Sequence, residues 1–294
     1  MRKVTKDYGQ PPSILVSKAR QNKIKTALET QSAQHFTNSD YSPKEAKDAL
    51  EALYNEKCSY CESTVKQVAS LEVEHYRPKN GILEAPEHPG YYWLAVEWSN
   101  LVLGCPACNG QGAKGNKFPV AGLRVATQNP FDAAGKLNRA ILFPSIPPLS
   151  EEQPLLLNPE VDEPAEHLKY DGFGSIKGRT ARGKKTIEIC NLNRDPLYKE
   201  RQSIINYFLR QCKIVFLAKL QYSLPNEAVD GLLIYQLQLL KEHWKDVAQP
   251  YTAFVEYLLM TPTVCLYPNI EPAFRTDFKR AFAKFRKTEL KPTS

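Results

Sequence analysis

A chain of 294 residues is long enough for one large domain or two ordinary ones, and 42% hydrophobic with 24% charged residues is a globular balance. No apolar run approaches the roughly 20 residues that cross a bilayer, and the polar stretch Met1 to Pro12 is no secretory signal, so a cytoplasmic protein with no membrane partner is expected. A net charge of +7 leans toward a polyanionic partner without requiring one, and seven cysteines, an odd number, argue against a disulfide framework.

Residues 1–57 read as a basic leader, with weak helical periodicity from Ile14 to Leu28, followed by an amphipathic helix. Ser42, Pro43 and Glu45 predict the start of that helix, over 43–56, with Ser42 as cap and Glu45 completing a capping box. Ala46, Ala49, Leu50, Leu53 and Tyr54 fall on its apolar face. Residues 58–127 carry the chemistry. Cys58-Ser59-Tyr60-Cys61 opens the stretch, and Leu71 to His75 alternates like a strand. The aromatic run Tyr91-Tyr92-Trp93 and then Asn100 to Leu103 lead into Cys105-Pro106-Ala107-Cys108-Asn109. Residues 128–200 form a proline-rich connector, extended and turn-rich in its first part. Residues 201–294 are helical. Ile204 to Leu220, Ala228 to Lys241 and Tyr251 to Met260 carry apolar helix patterns. In the last helix, Phe274 to Lys287, a stripe of phenylalanines is surrounded by Arg and Lys.

The two Cys-x-x-Cys pairs, Cys58/Cys61 and Cys105/Cys108, are separated by 43 intervening residues. Each turn aims two sulfurs at one point, and four thiolates in a tetrahedron favour zinc. With all four positions filled by protein this zinc is structural, and an inserted element must lie between the pairs. Cys190, Cys212 and Cys265 read as ordinary buried thiols. His35, His167 and His243 lack metal spacing, and His88 reads as a loop residue. The tyrosines and tryptophans of the insert read as packing around the zinc more than as a stacking platform.

The insert also holds Glu74-His75 at a strand end, and Asn109 follows Cys108 at the expected start of a helix. Phosphodiester hydrolysis needs a base to deprotonate water and a cation to neutralise charge on the phosphate. His75 suits the base. Glu74 and Asn109 are oxygen ligands of the kind that hold Mg²⁺ or Mn²⁺, and alternation puts Glu72 on the same face as Glu74. The Asn100 amide is placed to orient His75, although a simple turn-forming asparagine is nearly as good a reading. Lys114 and Lys117, with Arg77 and Lys79 flanking His75, are candidate phosphate contacts.

The run Lys57 to Pro119 resembles the HNH (ββα-metal) endonuclease superfamily, with Glu74-His75, Asn100 and Asn109 at the three motif positions. The resemblance implies an α+β fold with a ββα-metal core beside the zinc and a mainly α-helical C-terminal region. It makes His75 the general base, Glu74 and Asn109 ligands of a catalytic Mg²⁺ or Mn²⁺, and Asn100 the support for His75. A closer resemblance takes in Lys57 to Glu62, Glu74 to Lys79, Glu97 to Leu101, Gly115 to Pro119, Pro154 to Pro159 and Leu192-Asn193-Arg194. In these the chain is similar to the HNH nuclease subunit of bacterial Septu and retron-associated antiphage systems. That resemblance implies a partner ATPase of the ABC/SMC-like type and a nucleic-acid substrate, DNA by default with RNA open. Two features depart from the pattern. The third position is Asn109 where His is usual, and Gly110 and Gly112 weaken any helix that follows it, by roughly 1 kcal/mol each relative to alanine. The competing readings are a zinc-dependent nucleic-acid-binding or assembly module without cleavage activity, and a redox or metal sensor built on the cysteine pairs.

Overall fold

The computed structural model describes residues 1–66, 68–110 and 112–290. Helices alternate with two small two-stranded sheets, and the chain divides into two compact units. The first unit comprises residues 1–168 and 178–192, and the second comprises 169–177 and 193–294. The leader, the cysteine-bearing stretch and most of the connector therefore fall in one unit.

The first unit begins with α1 (Lys18–Thr30), the single turn α2 (Asn38–Tyr41) and α3 (Lys44–Leu53). The capping expected at Ser42 is not there: Pro43 is the N-cap of α3, and Glu45 instead accepts from the Ser13 backbone N–H at 2.8 Å. Pro43 itself is extended, with ψ of 157°, so the helix begins after it and Ser42 lies one residue outside the cap position. The reciprocal capping box sits one element earlier, between Thr37 and Asp40 of α2. Helix α3 buries Ala46 and Leu50 against the strands β1 (Glu72–His75) and β2 (Leu101–Gly104).

The two strands pair antiparallel, with Glu74 opposite Val102 and His75 opposite Leu101. Strand β2 is buried along its whole length, as is β1 beyond Glu72, so neither shows the clean alternation of a sheet with one wet face. Around them pack Tyr91, Tyr92, Trp93, Trp98 and Phe118, all buried. That is the packing role expected for the aromatics. After β2 comes the single turn α4 (Pro106–Asn109). Asn109 ends this turn instead of starting a helix, and among the described residues no helix lies between Gly110 and Thr127. The helix that a ββα core would place after β2 is therefore present among the described residues only as this one turn, next to Gly110 and Gly112, which disfavour its continuation.

Apart from a 3-10 turn at Arg139–Leu142, the connector is irregular until α5 (Pro164–His167) and the hairpin β3 (Leu168–Tyr170) with β4 (Ile176–Gly178), whose residues 169–177 belong to the second unit. Helix α6 (Ala181–Ile189) completes the first unit. The second unit contains α7 (Asp195–Tyr222), α8 (Asn226–Lys245), α9 (Thr252–Met260), α10 (Pro262–Cys265) and α11 (Arg275–Glu289). Phe278, Phe282 and Phe285 bury one face of α11, while Arg280 and Lys284 both reach the buried Asp230 of α8. The basic C-terminal helix is a docked element. Among the described residues no helix is long and apolar enough to cross a membrane.

Candidate functional site

The two Cys-x-x-Cys turns are built by local hydrogen bonds and joined through β2. Glu62 N–H donates to the Cys58 carbonyl at 2.9 Å, and Glu62 takes a positive φ of 62° to close the first turn. Ser59 N–H donates to the carbonyl of Leu103 at 2.8 Å, which fixes this turn to β2. The second turn follows Gly104 directly, and Pro106 opens its helical turn. The result is a buried cluster of Cys58, Cys61, Cys105 and Cys108 whose sulfurs all lie within 4.8 Å of one another. The Cys61 and Cys105 sulfurs are 3.8 Å apart. A tetrahedral zinc with Zn–S distances of about 2.3 Å needs sulfur–sulfur edges of about 3.8 Å, so donor set and spacing fit a structural zinc. Cys190, Cys212 and Cys265 are buried and stand outside the cluster.

Beside the cluster, β1, α2, α3 and the end of α4 enclose a polar cleft of about 370 Å³. Tyr41, Lys47, Glu72, Glu74, His75, Lys79 and Asn109 line it. The sequence separates Asn109 from Glu74 by a long insert. The structure joins them across Gly104, where a Cβ would lie 3.5 Å from the Cβ atoms of both residues. Asn109 donates from Nδ2 to Glu72 Oε2 at 2.9 Å. That bond leaves the amide oxygen as the atom of Asn109 available to a cation.

His75 is 6% exposed, and its Nε2 lies 2.8 Å from the carbonyl oxygen of Ala95. A carbonyl only accepts, so Nε2 carries the proton and Nδ1 is the basic nitrogen. Burial lowers the imidazole to about 3, and the neighbouring Lys79 and Lys114 ammonium groups push the same way. The ring is therefore neutral at neutral pH and free to accept a proton, although burial, which holds it at about 3, makes it a weaker base than an exposed imidazole. Tyr41 meets it nearly edge-to-face, with ring centroids 4.6 Å apart.

Glu74 is also buried, and burial raises its carboxyl above the usual range despite an opposing charge. The opposing charge is Lys114, whose Nζ lies 2.5 Å from Glu74 Oε1 and 2.8 Å from the carbonyl oxygen of His75. Lys114 is fully buried, and this corrects its expected role. Its ammonium is held inside the protein by Glu74 and the His75 carbonyl, out of reach of a phosphate. Arg77 is corrected for the same reason: at 2% exposure it is held by Glu152 at 2.8 Å and the Leu149 carbonyl at 2.7 Å. Lys79 and Lys117 remain partly exposed, and of the two only Lys79 lines the cleft.

Asn100 is buried and bonds to backbone alone. Its Oδ1 accepts from Arg77 N–H at 2.8 Å, and its Nδ2 donates to the carbonyls of Arg77 at 3.0 Å and Leu94 at 3.3 Å. No bond joins its side chain to the His75 ring. It fixes the segment after His75 and the residue next to Ala95, so any support it gives His75 runs through backbone. Tyr41 and Lys47, from α2 and α3, are cleft residues that sequence reasoning missed. Nothing in the leader marks them, since only tertiary packing brings these helices over β1.

The chain is 34% identical over 170 residues to Septu protein PtuB of Bacillus mycoides strain KBAB4, a match covering 56% of this chain and 52% of that one. It is 33% identical over 179 residues to Septu protein PtuA of the same strain, covering 60% of this chain and 23% of that one. A second Septu protein PtuB, from Bacillus thuringiensis, is 29% identical over 157 residues, covering 53% and 44% respectively. The chain spans about half the length of the PtuB relatives and a smaller share of PtuA. No protein-family model matches the chain, and no solved structure matches it.

Proposed function

We propose that the protein is a metal-dependent HNH-type endonuclease acting as the effector of a Septu-related antiphage defence system, together with an ATPase subunit. The observation that carries this reading is the convergence of His75, Glu74, Glu72 and Asn109 on one polar cleft beside the four-cysteine cluster. Similarity to proteins named PtuB and PtuA supports the defence setting and a partner from the same system.

In this reading Nδ1 of neutral His75 takes a proton from a water molecule in the cleft. The hydroxide attacks phosphorus, the bond to the 3′ oxygen breaks, and the departing 3′ alkoxide takes a proton from solvent, leaving a 5′-phosphate and a 3′-hydroxyl end. Glu74 and Asn109, with Glu72 as a further oxygen donor, are the residues that fit a Mg²⁺ or Mn²⁺ ion. Such an ion supplies charge neutralisation at the phosphate and leaving oxygen. Of the two cleft lysines, Lys47 already meets Glu51 and Ser70, and Lys79 is the one available to a phosphate oxygen. The zinc keeps Asn109 against β1 and takes no part in the chemistry.

One observation favours the alternative, a zinc-held nucleic-acid-binding or assembly module: Lys114 already satisfies one oxygen of Glu74. A cleavage assay separates the two. Plasmid DNA and total tRNA are incubated with Mg²⁺, Mn²⁺ or EDTA, for wild type and His75→Ala, with and without the neighbouring ATPase. Metal-dependent cutting lost in His75→Ala supports the nuclease and names its substrate. Absence of cutting in every condition, with zinc bound and the fold intact, supports the module.

A further inference from the structure

We infer that Tyr41 is a positioning residue of this cleft, whose ring holds the His75 imidazole and the Lys79 ammonium in one fixed arrangement; the inference rests on the nuclease reading above. Tyr41 ends α2, and the turn that presents it is anchored. Asp40, buried beside it, accepts from the Thr37 N–H at 2.8 Å and pairs with Arg20 at 3.0 Å and Lys23 at 2.5 Å. The ring therefore enters the cleft from a braced backbone.

Two contacts use that ring. The imidazole of His75 meets it at 4.6 Å and 66°, the edge-to-face geometry that aromatic quadrupoles favour. The Lys79 ammonium lies over it, 4.8 Å from the centroid, within cation–π range. The Ala95 carbonyl fixes His75 at Nε2 but leaves the tilt of the ring about that bond free. A neighbour against the ring restricts that tilt and with it the direction of the Nδ1 lone pair. Lys79 has no ion-pair partner among the described residues, so the π-face of Tyr41 is the contact that places it. One side chain thereby sets the base and the phosphate-binding cation relative to each other. Misplacing reacting groups by an ångström is expected to cost turnover more than binding.

Both contacts need the ring and not the hydroxyl, so Tyr41→Phe and Tyr41→Leu test the inference as a pair. Tyr41→Phe should keep kcat within about twofold of wild type, and Tyr41→Leu should lose about 10- to 100-fold in kcat with a smaller rise in KM. An equal loss in both variants overturns the inference in favour of a hydroxyl role, and wild-type kcat in Tyr41→Leu overturns it outright. A second readout does not depend on cleavage. Relaxation NMR of the His75 ring should show an ordered ring in wild type and Tyr41→Phe and a more mobile one in Tyr41→Leu, with the Nε2–H tautomer set by the Ala95 carbonyl kept in all three. An equally ordered ring in Tyr41→Leu overturns the positioning role. If wild type cuts nothing, the nuclease reading fails by itself, and the NMR comparison still decides what Tyr41 does.

Discussion

The ammonium of Lys114 and the carboxylate of Glu74 form an ion pair at 2.5 Å, with Lys114 wholly buried and Glu74 nearly so. Two charges removed from water together tolerate each other, and removing one leaves the other uncompensated. Lys114→Met should therefore destabilise the protein by about 3–5 kcal/mol, because Glu74 is left buried without its partner. Thermal unfolding should record a drop on the order of 10 °C for a unit of this size. Lys117→Ala, at a partly exposed position, should stay within about 0.5 kcal/mol of wild type. Equal melting of the two variants would show that the pair does not hold the loop after Asn109 against β1.

The cysteine cluster gives a metal-removal prediction. Structural zinc contributes its binding free energy to folding, and the unfolded chain has no preformed site. Cys58→Ser and Cys105→Ser should each lose bound zinc, measured by elemental analysis, and lower the unfolding temperature. The same loss should follow from chelator treatment of the wild type. Because Asn109 adjoins Cys108, cleavage should fall with zinc content even when Mg²⁺ is saturating. A zinc-free variant with unchanged melting would remove the structural role.

Much of this was legible in the sequence, for reasons that differ by residue. The cysteine pairs were readable because a Cys-x-x-Cys turn is a local geometry, and two such turns leave little freedom. Glu74-His75 was readable as a strand end, and the helices of the second unit announced themselves through long apolar periodicity. Lys114 and Arg77 were misread because a basic residue near a proposed active site suggests phosphate. Their burial depends on Glu74 and Glu152, partners 40 and 75 residues away. The capping box was placed at Ser42 because its residue types fit, while Thr37 and Asp40 fit as well and had the backbone geometry. Tyr41 was invisible, since its role comes from the packing of the leader over β1.

Asn100 offers a test of support at a distance. Its side chain satisfies the Arg77 N–H and the carbonyls of Arg77 and Leu94, all within the protein interior. Asn100→Ala leaves the buried Arg77 N–H and carbonyl unpaired, at about 1–3 kcal/mol each before relaxation, while the Leu94 carbonyl keeps the Glu97 N–H. Leu94 precedes Ala95, whose carbonyl holds His75, so the same change should lower kcat as well as stability. Asn100→Asp keeps the acceptor for Arg77 N–H but loses both donations, and should recover part of the stability only. Wild-type kcat in a folded Asn100→Ala protein would confine this residue to the fold.

The histidine itself predicts a direction with pH. Burial holds His75 at about 3 in the folded protein, against about 6.5 for an exposed imidazole. Between those values the unfolded chain binds a proton that the folded protein refuses, so stability rises with pH across this window. The slope attributable to His75 approaches about 1.4 kcal/mol per pH unit below 6, and vanishes above about 7. Urea unfolding at pH of about 7 and about 5 should show wild type losing roughly 2 kcal/mol more on acidification than His75→Gln, whose amide cannot take up a proton. Cleavage should follow a different course. Because the ring is already neutral, protonation of His75 should not reduce turnover between about pH 5 and 8 while the protein stays folded. A turnover profile that falls through a midpoint near 6.5, and loses that midpoint when His75 is replaced, would mean that the imidazole is open to solvent in the working enzyme. The Ala95 bond and the Tyr41 contact would then describe only its resting position.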